Sequence, residues 1–332
     1  MTIDLKVTSV EPRRRNFDHI AARIGPDKLA SRYQEAVWGL QPDLNFHYRP
    51  TWDAERELYD RSRTALVMKD FDDFVDPRQY YYGSWTMQRG RQQDSQEKNF
   101  DFVEKRGLLA ALPRAVQNSI AALVIPVRHL AWAANTNNCY IAAYGFGAPL
   151  TSAASMHMMD HLGIAQYISR IGLLLADNET TVLDAAKHAW LTAVSWQPLR
   201  ELTETSMVTH DWFELFVLQN FLIDGVIHGL VFEHFDARVV ASGGAAFSML
   251  CEFMTEWRTE SCRWVDAMLK IAADESASNQ DLLNTWLAQW SPRLRESLAP
   301  LADMVFANDA SEIVDALFAK LRTRAAAAGL TF

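Results

Sequence analysis

The residues best suited to chemistry in this 332-residue chain are its nine histidines and the carboxylates near them. His157 and His161 stand four apart, with Asp160 beside them, and Asp184/His188, Asp224/His228 and His210/Glu214 repeat the spacing as acid–imidazole pairs. On a helix, residues four apart share a face, so each pair can share a proton or a metal ion. A di-iron carboxylate centre demands more: a Glu from each of two helices and a Glu-x-x-His from each of two others. The residues three before the histidines are Asn16, Leu44, Pro126, Ala154, Met158, Ala185, Met207, Gly225 and Val231. None is acidic, so that centre cannot be built here in its usual form. The plainer reading of the pairs is intrahelical hydrogen bonding, or core histidines satisfied by backbone carbonyls. A metal site of another design, drawn from His157, His161, Asp224 and His228, is the alternative, and metal content distinguishes the two.

Other chemistries find little support. Gly145 and Gly147 form a GxG, but Leu150 occupies the third glycine position and no strand precedes it, so a dinucleotide site is excluded. There is no GxxxxGK[ST] and no GxSxG. Cys139, Cys251 and Cys262 lack metal-ligand spacing and read as thiols of a reducing compartment. The net charge is −9 and the only basic run is Arg13, Arg14 and Arg15, which argues against nucleic acid as a partner. The N-terminus has no apolar core of a secretory signal, so a cytoplasmic location is expected. Residues 129–159 carry no Asp, Glu, Lys or Arg, a length that could span a bilayer. Asn135, Asn137 and Asn138 lie within them, however, and amides at that depth need partners on neighbouring helices. A helix buried inside a soluble bundle is the better reading.

The elements that must position these residues are helices. Glycine and proline together make only 25 of 332 residues, against a usual share of roughly 12%. Turns are scarce, so sandwiches, barrels and repeated βα loops are disfavoured. Five of the 11 prolines fall in the first 77 residues, at 12, 26, 42, 50 and 77, and only Pro198 lies between Pro149 and Pro292. Residues 1–84 are therefore expected to be an irregular arm and linker, and residues 85–332 a helical bundle. The arm's aromatics must pack either on the chain's own bundle or on a partner. Within the bundle, the pattern predicts a charged, heptad-like helix over 88–112, ended by Pro113, and a helix over 114–138 kinked at Pro126. A kink or short link follows at 145–149, then a helix over 150–176. Further helices are expected at about 181–194, 199–234, 237–272, 279–290, 293–305 and 310–327.

Four blocks lack the periodicity of a generic helix: SRYQE at 31–35, FHYRPTW at 46–52, DPRQYYYG at 76–83 and FVEKRGLL at 102–109. In this order they resemble the β subunits of the hydroxylase components of bacterial multicomponent monooxygenases, most closely those of phenol hydroxylases, over essentially the whole chain. The resemblance implies an all-α, ferritin-like (ribonucleotide-reductase-like) bundle with an extended N-terminal arm. It implies a hydroxylase of two αβγ units, (αβγ)2, in which α holds the di-iron centre and this chain holds no cofactor. A reductase with FAD and a 2Fe-2S cluster would deliver electrons from NADH, and a small regulatory protein would dock on the hydroxylase. The reaction, in α, would be ortho-hydroxylation of phenol and methylphenols to catechols. This chain would scaffold α and the dimer interface, with residues from about 1 to 60 lying over α.

The family's α subunits carry an Asp-Glu-x-x-His run on each of two helices. In the matching stretches of this chain, the resemblance sets Asp160 at the aspartate, His161 at the glutamate and Ile164 at the histidine of the first run. It sets Glu260 and Arg263 in the second, with Arg263 at the histidine. Isoleucine and a protonated guanidinium cannot ligate iron. Catalytic, cofactor-binding and metal-binding residues are therefore expected to be absent, and Arg263 is expected to pair with Glu260 as a fixed cation. Two other readings remain: the β subunit of a toluene- or alkene-type monooxygenase, and an independent helical protein with a carboxylate–histidine metal site.

Overall fold

The computed structural model describes residues 16–42 and 49–332. The basic run at 13–15, the start of the arm and the first half of the FHYRPTW block lie outside the described residues. No strand occurs among the described residues. The helices are α1 (Asp18–Ile24), α2 (Arg32–Val37), α3 (Tyr82–Lys105), α4 (Arg114–Leu123), α5 (Val127–Tyr144), α6 (Ala148–Leu175), α7 (Thr181–Thr192), α8 (Gln197–Ser206), α9 (Trp212–Ala241), α10 (Ala245–Leu250), α11 (Glu252–Glu275), α12 (Ala277–Phe306) and α13 (Ala310–Ala327).

Helices α5 and α6 form the tightest pair, joined by the short link at 145–147. Gly147 turns that link with φ 98°, and a Cβ there would meet the Phe71 carbonyl oxygen at 2.7 Å, so only glycine fits. Together with α9 and α11 they enclose the core. The amides at the middle of α5 find the interhelical partners that their burial demands. Asn135 donates to the Met158 carbonyl at 2.7 Å, and Asn138 and Asn220 exchange reciprocal amide bonds at 2.9 Å. Helix α9 is long and apolar enough to cross a membrane, but 94% of its most apolar window is buried inside the fold. It is a core helix.

Several expected boundaries move. The 199–234 helix is two helices, because Asp211 caps the start of α9, accepting from the Phe213 and Glu214 amides. That helix then runs through 236 and ends only at 242–244, where Gly243 takes φ 87°, so the start expected at 237 is overturned. Pro292 sits inside α12 and joins the helices expected at 279–290 and 293–305 into one, which also contains Pro300. Burial of Trp286, Leu287, Trp290, Leu294 and Leu298 outweighs the two lost amide donors. Pro126 marks a break between α4 and α5, not a kink within one helix.

The segment ahead of α3 packs on the chain's own bundle. Leu66, Met68, Phe71 and Phe74 enter the main core, with Phe71 and Phe74 among Phe146, Trp212 and Phe213. Ala65 donates its amide to Asp211 and Lys69 donates to Glu275. Asn279 clamps Val67 from both sides, accepting from its amide at 3.2 Å and donating to its carbonyl at 2.8 Å. Upstream, SRYQE is a capping box in which Ser31 and Gln34 satisfy each other's amides. Tyr33 accepts from the Asp76 amide through its hydroxyl. Ile20, Tyr33, Val37 and Trp38 make a small second core. Replacing Asn279 with Ala removes both bonds to Val67, each worth about 0.5–1.5 kcal/mol, for an expected loss of about 1–3 kcal/mol. Urea unfolding measures that loss, and limited proteolysis is expected to accelerate at 61–76 with the helices still intact.

Candidate functional site at the bundle centre

Two polar clusters meet at the middle of the bundle. The inner one joins α6 to α9. Two stretches of π-helix, Val217–Ile223 and Leu230–Phe235, widen α9, and such turns re-aim side chains. Gln219, Asn220 and Asp224 consequently face inward and are buried. Asp224 Oδ2 accepts from His161 Nε2 at 3.0 Å and lies 3.5 Å from His157 Nε2. Its Oδ1 accepts from Gln219, whose own oxygen accepts from Asn137, and Asn137 also donates to Ser206. His157 is fully buried, with no hydrogen-bond partner for either ring nitrogen, between the rings of Trp257 and Trp264. Burial pushes its imidazole down to about 4, so it is neutral near pH 7. Burial works against charge on Asp224, but the two imidazoles outweigh it and hold the carboxyl well below the usual range.

The outer cluster joins α3, α6 and α11 through one guanidinium. Arg89 reaches both oxygens of Asp160, at 2.7 and 2.8 Å, and Glu260 at 2.7 Å. Asp160 further accepts from the indoles of Trp85 and Trp257, each at 3.1 Å. Glu260 accepts from the Tyr80 hydroxyl at 2.8 Å and from Gln88 and Gln92. The DPRQYYYG block builds this region. Asp76, fully buried, grips Arg78, which lies over Tyr80 and Trp264.

The structure brings some expected residues together and separates others. His157, His161 and Asp224 meet, their donor atoms all within 4.8 Å of one another. His228 turns away and bonds the Met254 carbonyl at 2.6 Å. Asp184 and His188 are exposed, and Glu214 accepts from Trp290 instead of meeting His210. The expected Glu260–Arg263 pairing is overturned: Arg263 is exposed, and the cation of Glu260 is Arg89 from α3. The reason is helical phase. Glu260 and Asp160 meet the same guanidinium, so the inward positions of α11 lie one and four residues later, at Ser261 and Trp264, as His161 and Ile164 do on α6. Sequence reading missed Arg89 altogether. The buried face of α3 is Gln92, Gln96, Phe100 and Val103, half of it polar, so the helix looked solvated.

A di-iron centre does not fit these residues. It needs four carboxylates and two imidazoles, whereas the inner cluster offers one carboxylate, and its inward-facing neighbours Ile164 and Trp264 have no lone pair to give a metal. Asp160 and Glu260 are saturated by other donors. The adjoining cavity, lined by His161, Ile164, Asp224 and Trp257, holds about 40 Å³. That admits water but no aromatic ring; an engineered cavity that takes benzene is about 150 Å³.

The pattern of methane/phenol/alkene hydroxylases matches residues 50–276. The chain belongs to that family. It is 43% identical to the phenol 2-monooxygenase oxygenase component DmpL of Pseudomonas sp. (strain CF600), covering 91% of each chain. It is 21% identical to the hydroxylase component subunit beta of the toluene-4-monooxygenase system of Ectopseudomonas mendocina, over 78% of this chain and 77% of that one. Its fold superposes on a phenol hydroxylase chain from Pseudomonas sp. OX1 with a TM-score of 0.93 at 41% identity, over 99% of each. The all-α, ferritin-like bundle expected from the sequence is the fold observed. Within this hydroxylase chain, Arg89→Met strands two carboxylates in the interior and is expected to cost about 3–5 kcal/mol. Arg263→Leu, on the surface, is expected to stay within about 0.5 kcal/mol of the parent. Chemical unfolding of both variants separates the two assignments.

Proposed function

We propose that this chain is the non-catalytic β subunit of the hydroxylase of a multicomponent phenol monooxygenase. The observation that carries the reading is the centre of the bundle. Where a di-iron hydroxylase would place its ligands, this chain has Ile164, Trp264 and carboxylates saturated by Arg89, and the cavity against His161, Ile164 and Asp224 is too small for phenol; the cleft of about 300 Å³ at Asp160 and Arg89 lies on the other side of that cluster. The 43% identity to a phenol 2-monooxygenase component, against 21% to the toluene-system β subunit, supports phenol and its methyl derivatives as substrates.

In this reading an α subunit of the same family holds the di-iron centre and hydroxylates phenol to catechol at the ortho position. A reductase carrying FAD and a 2Fe-2S cluster supplies electrons from NADH, and a regulatory protein couples them to oxygen. The hydroxylase is (αβγ)2 and cytoplasmic. The part played by this chain is mechanical: its cross-braced core presents a rigid surface to α, and its residues before about 60 extend over that partner. Trp132 on α5 and Met159 and Leu162 on α6 are exposed and apolar, which suits a protein partner.

The test is expression with and without the larger hydroxylase subunit encoded alongside. Alone, the chain is expected to show no phenol-dependent oxygen consumption; together, the subunits are expected to co-purify and, with reductase and regulatory protein, to form catechol. Trp132→Glu is expected to weaken co-purification at least tenfold while leaving the unfolding midpoint of the chain in place. Catechol formation by the lone chain would overturn the reading.

A further inference from the structure

We propose that His157, His161 and Asp224 form a binding site for one divalent transition-metal ion, tying α6 to α9. The site is distinct in composition from a di-iron centre, because it offers two imidazoles and a single carboxylate, a set suited to one zinc, iron(II) or cobalt ion. Two of the three edges fit. An ion about 2.1 Å from each donor has ligand–ligand edges of roughly 3.0–3.4 Å, and the two imidazole Nε2 atoms lie 3.0 and 3.5 Å from the same Asp224 oxygen. The three donors lie within 4.8 Å of one another, so the two rings draw slightly closer to each other when an ion binds.

His157 points independently to a ligand. It is 0% exposed; its Nδ1 has no hydrogen-bond partner, and its Nε2 faces only the Asp224 carboxylate, at 3.5 Å, too long for a good hydrogen bond. A buried imidazole in that condition is costly unless something takes its lone pair. The carboxylate of the site also has an outer partner. Gln219 holds the other oxygen of Asp224 at 2.8 Å and is itself held by Asn137, which fixes the carboxylate as outer partners of metal ligands do. The cavity of about 40 Å³ opens on His161 and Asp224 and leaves room for a water as a further ligand. Arg258, buried on α11, puts a positive charge on that side and weakens binding.

The test uses the full chain in whatever assembly it purifies, stripped with a chelator and dialysed against Co²⁺ at neutral pH. The parent is compared with His157→Phe, which keeps a ring between Trp257 and Trp264, and with Asp224→Asn. Because all three share any partner subunits, metal held elsewhere cancels. The parent is expected to retain one more Co²⁺ per chain than either variant, with visible d–d absorption. Its unfolding midpoint is expected to rise with Co²⁺, with at least 100-fold weaker binding in the variants. Unfolding without metal confirms that the variants fold. Should neither fold, the parent alone decides, since a parent without d–d absorption and without a Co²⁺-dependent midpoint overturns the site. Equal retention by parent and variants overturns it too. The subunit role is read from co-purification and catechol formation, so failure of one proposal leaves the other standing.

Discussion

One guanidinium organises the middle of this protein. Arg89 enters from α3 and closes the gap between Asp160 on α6 and Glu260 on α11. Two carboxylates from facing helices, mostly removed from water, repel each other and are expensive to bury unless a cation stands between them. Arginine suits the position because its planar fork stays charged and can bond both acids at once. The donors around it, the indoles of Trp85 and Trp257 and the Tyr80 hydroxyl, complete the satisfaction of the two acids. Tyr80 arrives there because Asp76 and Arg78 lock the turn before α3. The N-terminal segment is thereby linked to the interior of the bundle.

The two polar clusters divide the labour. The outer one is saturated: Asp160 and Glu260 each receive several donors. The inner one is incomplete, since His157 is sealed among aromatic rings with its Nδ1 unpaired and its Nε2 only 3.5 Å from Asp224, while Asp224 is braced by Gln219. Trp257 stands between them, its ring against His157 and His161 and its N–H on Asp160. A displacement in either cluster therefore presses on the other through a single packed side chain. The same crowding keeps the adjoining cavity to the size of a few waters. That stiffness suits the scaffold role proposed above, in which a partner subunit would rest on a surface that does not deform.

Much of the fold was legible in the sequence, for physical reasons that can be located. Scarce turns specified long helices, whereas the irregular arm expected over residues 1–84 has its residues 66–74 in the chain's own core, which proline spacing does not foretell. The boundaries that failed did so where local signals compete with packing. Pro292 and Pro300 break helices in isolation, yet the buried tryptophans and leucines of α12 hold it together. Asp211 is an N-cap that the surrounding apolar run disguised. At the site, His157 and His161 were legible because spacing of four on one helix forces a shared face. Their meeting with Asp224 depends on the π-helical turns of α9, which leave no simple mark in the sequence. Arg89 was illegible because a buried stripe of glutamines reads as a solvated one. Glu260 and Arg263 drew attention by charge, whereas the inward face of α11 is carried by the uncharged Ser261 and Trp264.

The most direct measurement of the central claim is a thermodynamic cycle on the braced centre. Unfolding free energies would be compared for the parent, Arg89→Met, the pair Asp160→Asn with Glu260→Gln, and all three substitutions together. If the guanidinium acts by neutralising the two acids, the combined variant is expected to be more stable than the sum of the separate losses by at least about 1 kcal/mol, since coupled sites depart from additivity by about 0.5–3 kcal/mol. Additivity within about 0.5 kcal/mol would contradict the claim, showing that Arg89 and the carboxylates stabilise the bundle independently.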